Sequence, residues 1–413
     1  MHRRTVLASG GAAASAVLLG RAMPSRARWI HTWTAMPQLT EPHNLPPAPF
    51  TGTDSVLVNT TLRQTLHTSV GGRQLRVRFS NAFGGADLPI TAAAVALPLD
   101  GRAGVPDIRP GSSRPLTFGG RRSVVVPVGA QMVSDPVEMP VPAAANLTVT
   151  TYLADGQATT NLTSHPGSRT TSWLVNGDQH TATGLTGATP VDHWYLISGV
   201  EVTAAGAAGL VVLGDSLTDG RGSTTNGNDR WPDQLLARLR GDVAVLNQAA
   251  GGNRVLHDGL GPNALARLDR DVLAVTGATW LLVFEGVNDI GTAEASEAAQ
   301  QQVVADLIGA YRQIVLRAHA QDLIVYGATL TPFGGNIYDD ATGWREQARQ
   351  QVNRAIRGGL FDAYVDFDAA VRDPAEPRRL ADAYNTGDHL HLNPAGYAAL
   401  AAAVPRRLLQ PKT

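Results

Sequence analysis

The stretch "AAGLVVLGDSLTDG", residues 207–220, decides how the second half of this chain folds. Its first seven residues form a short apolar run, which is typical of a strand that is buried on both faces of a sheet. The run ends in mid-chain on Gly214, Asp215 and Ser216. Two interpretations follow: Ser216 is an exposed nucleophile at the end of a core strand, or the three residues form an ordinary turn.

The pattern that begins here continues to the C-terminus as apolar strands separated by helical stretches. Strands are predicted over residues 209–214, 243–248, 280–286, 323–330 and 363–368. Helices are predicted over residues 230–240, 263–275, 297–320, 344–358 and 393–409. This alternation predicts an α/β domain with a parallel sheet covered on both faces, and ligands bind such sheets beyond the carboxyl ends of the strands.

The first half has a different period. From about Trp29 to about Val202, apolar and polar residues alternate, as in "LRVRFSN", where Leu75, Val77 and Phe79 share one face. Turn-forming clusters separate these runs at short intervals, which indicates an antiparallel β-sandwich or jelly-roll-like domain. We therefore predict a β domain over residues 28–203 and an α/β domain over residues 204–413.

The composition excludes several functional classes. A formal net charge of −1, with 17% charged residues, gives no electrostatic case for binding nucleic acid or an anionic membrane surface. The chain has no cysteine, so disulfides, thiolate nucleophiles and cysteine-ligated metals are excluded. Its only lysine is Lys412, which excludes a P-loop, Schiff-base chemistry and a Ser–Lys dyad.

Residues 1–27 have the pattern of an export signal. "MHRRT" is positively charged, "VLASGGAAASAVLLG" is apolar and small, and a small-x-small cleavage site ends at Ala27. The pair Arg3–Arg4 resembles a twin-arginine signal. We expect the signal to be removed and the protein to be secreted or periplasmic, with no stable membrane insertion afterwards.

Polar and glycine residues follow the predicted strands at the positions where an α/β active site would lie. In addition, Asp388 precedes His391 by three residues, just before a helix that Asn393 and Pro394 are suited to begin. The groups at the ends of the first three strands are Gly214-Asp215-Ser216, Gly251-Gly252-Asn253, and Gly286 with Asn288 and Asp289.

These residue types match the needs of acyl transfer. A serine hydroxyl attacks, a histidine takes its proton, and an aspartate orients the histidine, which are the roles open to Ser216, His391 and Asp388. The negative oxygen of the intermediate needs preorganised donors. The N–H of Ser216, the N–H of a glycine after the second strand and the Asn288 amide are candidates.

Each group also has a simpler interpretation. Gly-Asp-Ser is a common turn, paired glycines mark tight turns, and Asp215 and Asp289 are expected to cap backbone donors. Asp388, His389 and His391 form an alternative as a metal site. The four groups nevertheless occur in order, each at a predicted strand end or helix start, which favours the acyl-transfer interpretation.

Together the four groups resemble the sequence blocks of the SGNH hydrolases, the GDSL family of esterases and lipases, from roughly Gly209 to the C-terminus. Ser216 matches the nucleophile block, Asn288 the third block, and Asp388 with His391 the D-x-x-H block. Gly252 in "NQAAGGNR" matches the oxyanion glycine. Because the family more often has glycine where this chain has Ala249, the choice between Gly251 and Gly252 stays open.

The resemblance implies a flavodoxin-like three-layer fold with five parallel strands, and ester hydrolysis without metal or cofactor. Asn253 and Arg254 are candidates for lining the substrate pocket. The whole chain also resembles exported GDSL-type proteins of bacteria and fungi that carry an additional N-terminal β domain, through residues 63–85. That domain is expected to bind a polysaccharide, to shape the acyl pocket or only to cover one flank.

These observations favour an exported serine ester hydrolase that acts on short acyl groups, such as acetyl groups on a carbohydrate. A lipase or lysophospholipase acting on longer chains is one alternative, and a carbohydrate-binding protein with an inactive hydrolase domain is another. The expected partner is a small-molecule or polysaccharide ester. The segment 329–344 is either a substrate-contacting loop or a solvated connection. Natural substrate and oligomeric state are left open.

Overall fold

The computed structural model describes residues 27–239 and 241–410. The predicted export signal lies outside the described residues, except for Ala27. None of the described helices has both the length and the hydrophobicity needed to cross a bilayer.

The first half consists of antiparallel strands, as its alternating pattern predicts. Val77 and Phe79 are completely buried, on the face that the alternation assigned to the core. The strands are β1 (Arg28–Thr34), β2 (Gln38–Leu39), β3 (Thr60–His67), β4 (Gly72–Ser80), β5 (Leu88–Ile90), β6 (Ala92–Ala96), β7 (Arg114–Pro115), β8 (Val124–Val126), β9 (Gln131–Val133), β10 (Val137–Val141), β11 (Asn146–Leu153), β12 (Thr163–His165), β13 (Ser172–Asn176), β14 (Thr189–Val191), β15 (Trp194–Tyr195) and β16 (Ile197–Ala204).

Two larger sheets organise these strands. One has the order β1-β16-β4-β10, with β9 also paired to β4, and the other has the order β14-β13-β3-β11-β6-β7. Smaller sheets pair β15-β12-β2 and β5-β8. In β11 the threonines on the polar side of the alternation are buried, as are the leucines and the valine. The reason is that β11 lies inside its sheet, between β3 and β6, and that neither face of the strand is open to solvent.

The second half is an α/β domain built on a parallel sheet. Its strands run in the order β18-β17-β19-β20-β21, which is the flavodoxin-like arrangement 2-1-3-4-5. The strands are β17 (Ala208–Gly214), β18 (Val243–Ala249), β19 (Ala278–Phe284), β20 (Ile324–Ala328) and β21 (Ala363–Val365). The strand order reverses at β17, since β18 lies on one side of it and β19 on the other. The carboxyl end of β17 therefore borders the crevice where such folds bind ligands.

Helices connect these strands and cover the sheet. The α-helices are α1 (Ser216–Asp219), α2 (Trp231–Arg238), α3 (Ala264–Leu268), α4 (Val287–Thr292), α5 (Glu297–His319), α6 (Trp344–Ala355), α7 (Phe367–Val371) and α8 (Pro394–Ala403). Single turns of 3₁₀ or π geometry cover Pro42–Asn44, Leu99–Gly101, Asp269–Leu273, Ile356–Leu360, Asp382–Tyr384 and Arg406–Leu409.

The last helix is shorter than its sequence pattern predicts. We expected a helix over residues 393–409, but α8 ends at Ala403 and a separate 3₁₀ turn follows. Pro405 explains the break, since proline disfavours the helical conformation of the residue before it and lacks an N–H of its own.

The two halves contact each other closely. The Thr34 hydroxyl donates to the Asn247 carbonyl at 3.0 Å, and the Ser69 hydroxyl donates to the Val245 carbonyl at 2.9 Å. Apolar side chains of both halves belong to one continuous core. The division at residues 203 and 204 stays a proposal, and it falls at the end of β16, shortly before β17.

This packing predicts the effect of a substitution at the interface. Gly277 has a φ of +81°, and an added Cβ would lie 2.6 Å from Ile30 Cγ1 in β1. Gly277→Ala should therefore lower the free energy of unfolding by about 2 kcal/mol, through the left-handed backbone and the clash. Gly309→Ala is the matched control, because open space surrounds Gly309 in α5 and alanine should add about 0.5–1 kcal/mol there. Denaturant unfolding measures both, and wild-type stability of Gly277→Ala would contradict this interface.

Candidate active site

The end of β17 turns directly into a short helix that presents Ser216. Asp215 is the N-cap of α1, and its carboxylate accepts the Leu217 N–H at 2.9 Å, as expected of a capping residue. Ser216 is the first residue of α1 and is 6% exposed. The sharp turn therefore places the serine at the carboxyl edge of the sheet, at the base of a cavity.

His391 and Asp388 reach the same point from the loop before α8. Ser216 Oγ lies 2.8 Å from His391 Nε2, and His391 Nδ1 lies 2.6 Å from Asp388 Oδ2. Because Nδ1 faces a carboxylate, it carries the proton in the neutral ring, and Nε2 is left to accept the serine hydroxyl. Asn393 caps α8 by accepting the Gly396 N–H, which anchors the loop that holds the histidine.

The surroundings of His391 and Asp388 determine which of the two side chains is charged. Burial lowers the pKa of His391 below its ordinary value, and this effect, together with the nearby Arg221 and Arg169, outweighs the hydrogen bond and charge of Asp388. Burial would raise the pKa of Asp388, but hydrogen bonds from the His391 ring and from the N–H groups of His391 and Leu390 hold it well below its ordinary value. At neutral pH the site therefore has a neutral imidazole oriented by a carboxylate.

The structure distinguishes between the two glycines that follow β18. The Gly251 N–H donates to Asp219 Oδ2 at 3.1 Å and is therefore occupied. Among the described residues no hydrogen bond uses the N–H of Gly252, which has a φ of +73° and lines the cavity with Ser216. The geometry thus favours Gly252 over Gly251 as a donor to a bound oxyanion.

Asn288 lies at the N-terminal end of α4 and borders the same cavity. Its Nδ2 donates one hydrogen to the Asn253 carbonyl at 2.8 Å and keeps a second one. Its Oδ1 accepts the Tyr338 hydroxyl at 3.0 Å, which fixes the orientation of the amide. The amide therefore holds the loop after β18 and still has a hydrogen to donate.

Asp289 has the structural role expected of it. Its two carboxylate oxygens accept the N–H groups of Val255 and Leu256, each at 2.9 Å. Asp219 also accepts the Gly251 N–H, and Asn288 donates to the Asn253 carbonyl. Together these hydrogen bonds hold residues 251–256 in place from both ends. The loop that carries the Gly252 N–H is thus preorganised.

Two residues predicted for the pocket lie elsewhere. The Asn253 side chain is 1% exposed, donates to the carbonyls of Leu260 and Pro262, and accepts from Arg267, so that its hydrogen-bonding capacity is used inside the protein. Arg254 donates to the Asp258 carbonyl. Neither is among the described residues that line the cavity, so contact of either side chain with substrate stays a prediction.

The cavity above Ser216 has a volume of about 490 Å³, and both halves of the chain form its walls. Apart from Leu260, Leu390 and Tyr338, few large apolar side chains reach it. The first half contributes Gln38, Glu41, His43, Asn44, Pro166, Gly167, Arg169 and His193. Segment 329–344 contributes Tyr338, which supports its interpretation as a substrate-contacting loop.

The sequence analysis missed a buried pair that joins the two halves beside Ser216. His165 Nε2 lies 2.8 Å from Asp219 Oδ1, and His165 Nδ1 lies 3.0 Å from the Met36 carbonyl. The ring therefore connects a carbonyl of the first half to a carboxylate of the second half. Burial would raise the pKa of Asp219, but the charge and hydrogen bond of His165 hold it below its ordinary value.

The alternative of a metal site at the D-x-x-H block finds no support in the geometry. The His389 ring accepts from Asn385 at 2.9 Å and lies against Gly335. Within residues 27–239 and 241–410, no three histidine, aspartate or glutamate side chains are grouped to hold a metal ion.

The second half of the chain is similar to known proteins. Residues 212–399 match the model of the GDSL-like lipase/acylhydrolase family. No curated protein matches the chain. Among solved structures it is similar to a GDSL-like lipase from Bacteroides thetaiotaomicron, with 15% identity over 49% of this chain and 87% of that one and a TM-score of 0.36. It is also similar to an acetylxylan esterase from Geobacillus stearothermophilus, with 21% identity over 48% and 93% of the two chains and a TM-score of 0.35.

The contact between Asp219 and Gly251 predicts an effect on turnover. Asp219→Ala removes the acceptor that holds the loop before Gly252, so kcat should fall about 100-fold while KM changes little. Asp219→Asn is the matched control, because its amide oxygen can still accept the Gly251 N–H while its amide nitrogen faces His165 Nε2. The Asp219→Asn variant should retain most of the wild-type kcat.

Steady-state kinetics on the folded fraction, with thermal unfolding measured alongside, checks this prediction. A folded Asp219→Ala variant with wild-type kcat would show that Asp219 does not position the loop.

Proposed function

We propose that this carboxylic ester hydrolase uses Ser216, His391 and Asp388 as a catalytic triad. Residues 212–399, which contain all three, match the model of the GDSL-like lipase/acylhydrolase family. The observation that carries the proposal is the hydrogen-bonded chain from the Ser216 hydroxyl through His391 to Asp388, at the base of an open cavity. This geometry also argues against a binding protein with an inactive hydrolase domain.

In the proposed reaction, Ser216 Oγ bonds to the acyl carbon of the ester while its proton moves to His391 Nε2. The tetrahedral intermediate collapses, the bond to the leaving oxygen breaks, and His391 returns the proton to the alcohol. Water then attacks the acyl carbon while His391 Nε2 takes one of its protons. The bond between the acyl carbon and Ser216 Oγ breaks, His391 returns the proton to Oγ, and the acid leaves. Asp388 keeps the His391 ring oriented and stabilises the imidazolium.

The developing negative oxygen is proposed to bind the N–H groups of Ser216 and Gly252 and the Asn288 amide. Ser216 is the first residue of its helix, so its N–H has no acceptor within the helix. The loop that bears Gly252 is held by Asp219, Asn288 and Asp289 before substrate binds. Donors that need no reorganisation give the largest stabilisation of a transition state.

The character of the cavity supports short acyl groups on a hydroxyl-rich alcohol. A lipase or lysophospholipase needs an apolar channel for the acyl chain, whereas most of the residues that line this cavity have polar side chains. Gln38, Asn44 and His193 offer the kind of hydrogen bonding by which proteins recognise sugar hydroxyls. We therefore propose deacetylation of a carbohydrate, with the first half of the chain forming part of the substrate site.

The proposal predicts a distinct set of kinetic results. Ser216→Ala should lower hydrolysis of p-nitrophenyl acetate by at least about 1000-fold, whereas the exposed Ser123→Ala should leave it unchanged. With wild-type enzyme, kcat/KM should fall steadily from acetate to longer p-nitrophenyl esters, and acetate should be released from acetylated xylooligosaccharides.

Retained activity in Ser216→Ala would remove the triad assignment. Maximal activity on long-chain esters would favour the lipase alternative instead.

Export stays a proposal that rests on residues 1–27. A secreted or periplasmic enzyme should accumulate outside the cytoplasm of a bacterial host with its N-terminus processed near Ala27. Arg3→Lys with Arg4→Lys should block that accumulation if the twin-arginine route is used. N-terminal sequencing of the exported protein checks the cleavage site, and full retention in the cytoplasm would contradict export.

A further inference from the structure

Two arginine side chains that line the cavity have no hydrogen-bonded partner among the described residues. Arg169, from the loop after β12, is half-buried, and Arg221, just after α1, is exposed. Within the described ranges, neither guanidinium forms a hydrogen bond or an ion pair. Arg169 Nε is out of contact with solvent and has no acceptor. Because both guanidinium groups border the cavity and receive no acceptor from the described residues, a bound ligand can supply one.

The carboxylates near this cavity already have their own partners. Asp219 is held by His165 and by the Gly251 N–H. Glu41 accepts from Gln38 at 2.6 Å and from Asn44 at 3.0 Å. Asp388 lies behind His391 and is hydrogen-bonded to it. The acidic groups are therefore engaged in hydrogen bonds. The charge of Arg169 acts on Asp219, but no carboxylate of the described residues is hydrogen-bonded to either guanidinium group.

The loop that carries Arg169 is held in a defined conformation. Arg169 has a φ of +50°, which is uncommon for a residue other than glycine. Its carbonyl accepts the Asn226 N–H at 2.9 Å, and Asn226 Oδ1 accepts the Thr171 N–H at 2.8 Å. Arg230 donates to the neighbouring Ser168 carbonyl. These bonds from the second half fix the arginine beside Ser216, as expected of a preorganised binding group.

We propose that the ester hydrolysed at Ser216 carries a carboxylate, which Arg169 and Arg221 bind while the acyl group lies against the serine. The proposal rests on the proposed esterase function and narrows its substrate to acetylated sugars with a uronic acid group. The planar guanidinium group matches the geometry of a carboxylate and binds it through paired N–H donors. A neutral sugar would leave both guanidinium groups without a charged acceptor.

A matched pair of substrates tests the proposal: monoacetylated methyl glucoside and monoacetylated methyl glucuronide, which differ only in the carboxylate. Wild-type enzyme should have the higher kcat/KM on the glucuronide. Arg169→Gln and Arg221→Gln should each lower that value by about 10- to 100-fold, the range for a lost charge-assisted hydrogen bond, and change the glucoside value by less than about 3-fold. Arg312→Gln, on the exposed side of α5, is the control and should change neither.

The outcomes separate this proposal from the function on which it rests. Hydrolysis of both esters with no preference for the glucuronide, or an equal loss on both in the arginine variants, overturns the carboxylate proposal and leaves the esterase intact. Failure to hydrolyse either ester or p-nitrophenyl acetate overturns the proposed function itself.

A pH profile on the neutral glucoside gives a second readout. Burial, Arg221 and Arg169 all lower the pKa of His391, against the opposing effect of Asp388. Removing one positive charge stabilises the imidazolium, so the acidic limb of kcat/KM should move to higher pH in Arg169→Gln and in Arg221→Gln. An unchanged limb in both variants would show that their charges do not face the catalytic histidine, which contradicts the proposal.

Discussion

The buried carboxylate of Asp219 connects the parts of this structure that matter for chemistry. On one side it binds His165 from the first half, and on the other it holds the Gly251 N–H in the loop after β18. A carboxylate with 1% exposure is strongly destabilising unless it is paired and hydrogen-bonded. The two halves must therefore meet at this point, and the contact places polar residues from the loops of the first half above Ser216.

This connection explains how an antiparallel half contributes to a site at the edge of a parallel sheet. The proposed catalytic groups come from the ends of β17, β18 and β19 and from the loop before α8, while about half of the residues that line the cavity come from the first half. In the proposed mechanism, different parts of the chain therefore select the substrate and carry out the chemistry. The unpaired Arg169 belongs to the first part and the nucleophile to the second.

Much of the catalytic arrangement follows from local sequence patterns. Residues at the carboxyl ends of adjacent parallel strands necessarily converge, so the groups around Ser216, Gly252 and Asn288 were predictable once the strands were recognised. Asp388 and His391 are three residues apart before a well-capped helix, and their contact is equally local. The segment 204–413 therefore gave a reliable fold and a specific candidate site.

The rest depends on contacts that no local pattern records. His165 and Asp219 are 54 residues apart and belong to different halves, so their pairing requires knowledge of how the halves dock. Asn253 was predicted to line the pocket, but Arg267, 14 residues later, donates a hydrogen bond to its side chain inside the protein. The same contact of Asp219 with Gly251 decides which glycine keeps a free N–H, which the sequence left open.

The central claim is that Ser216 is an activated nucleophile, and covalent labelling tests it most directly. Incubation with a fluorophosphonate followed by peptide mass spectrometry should find one phosphonylated residue, Ser216, with labelling strongly reduced in His391→Ala. An active enzyme that carries no adduct on Ser216, or that is labelled equally fast without His391, would contradict the account.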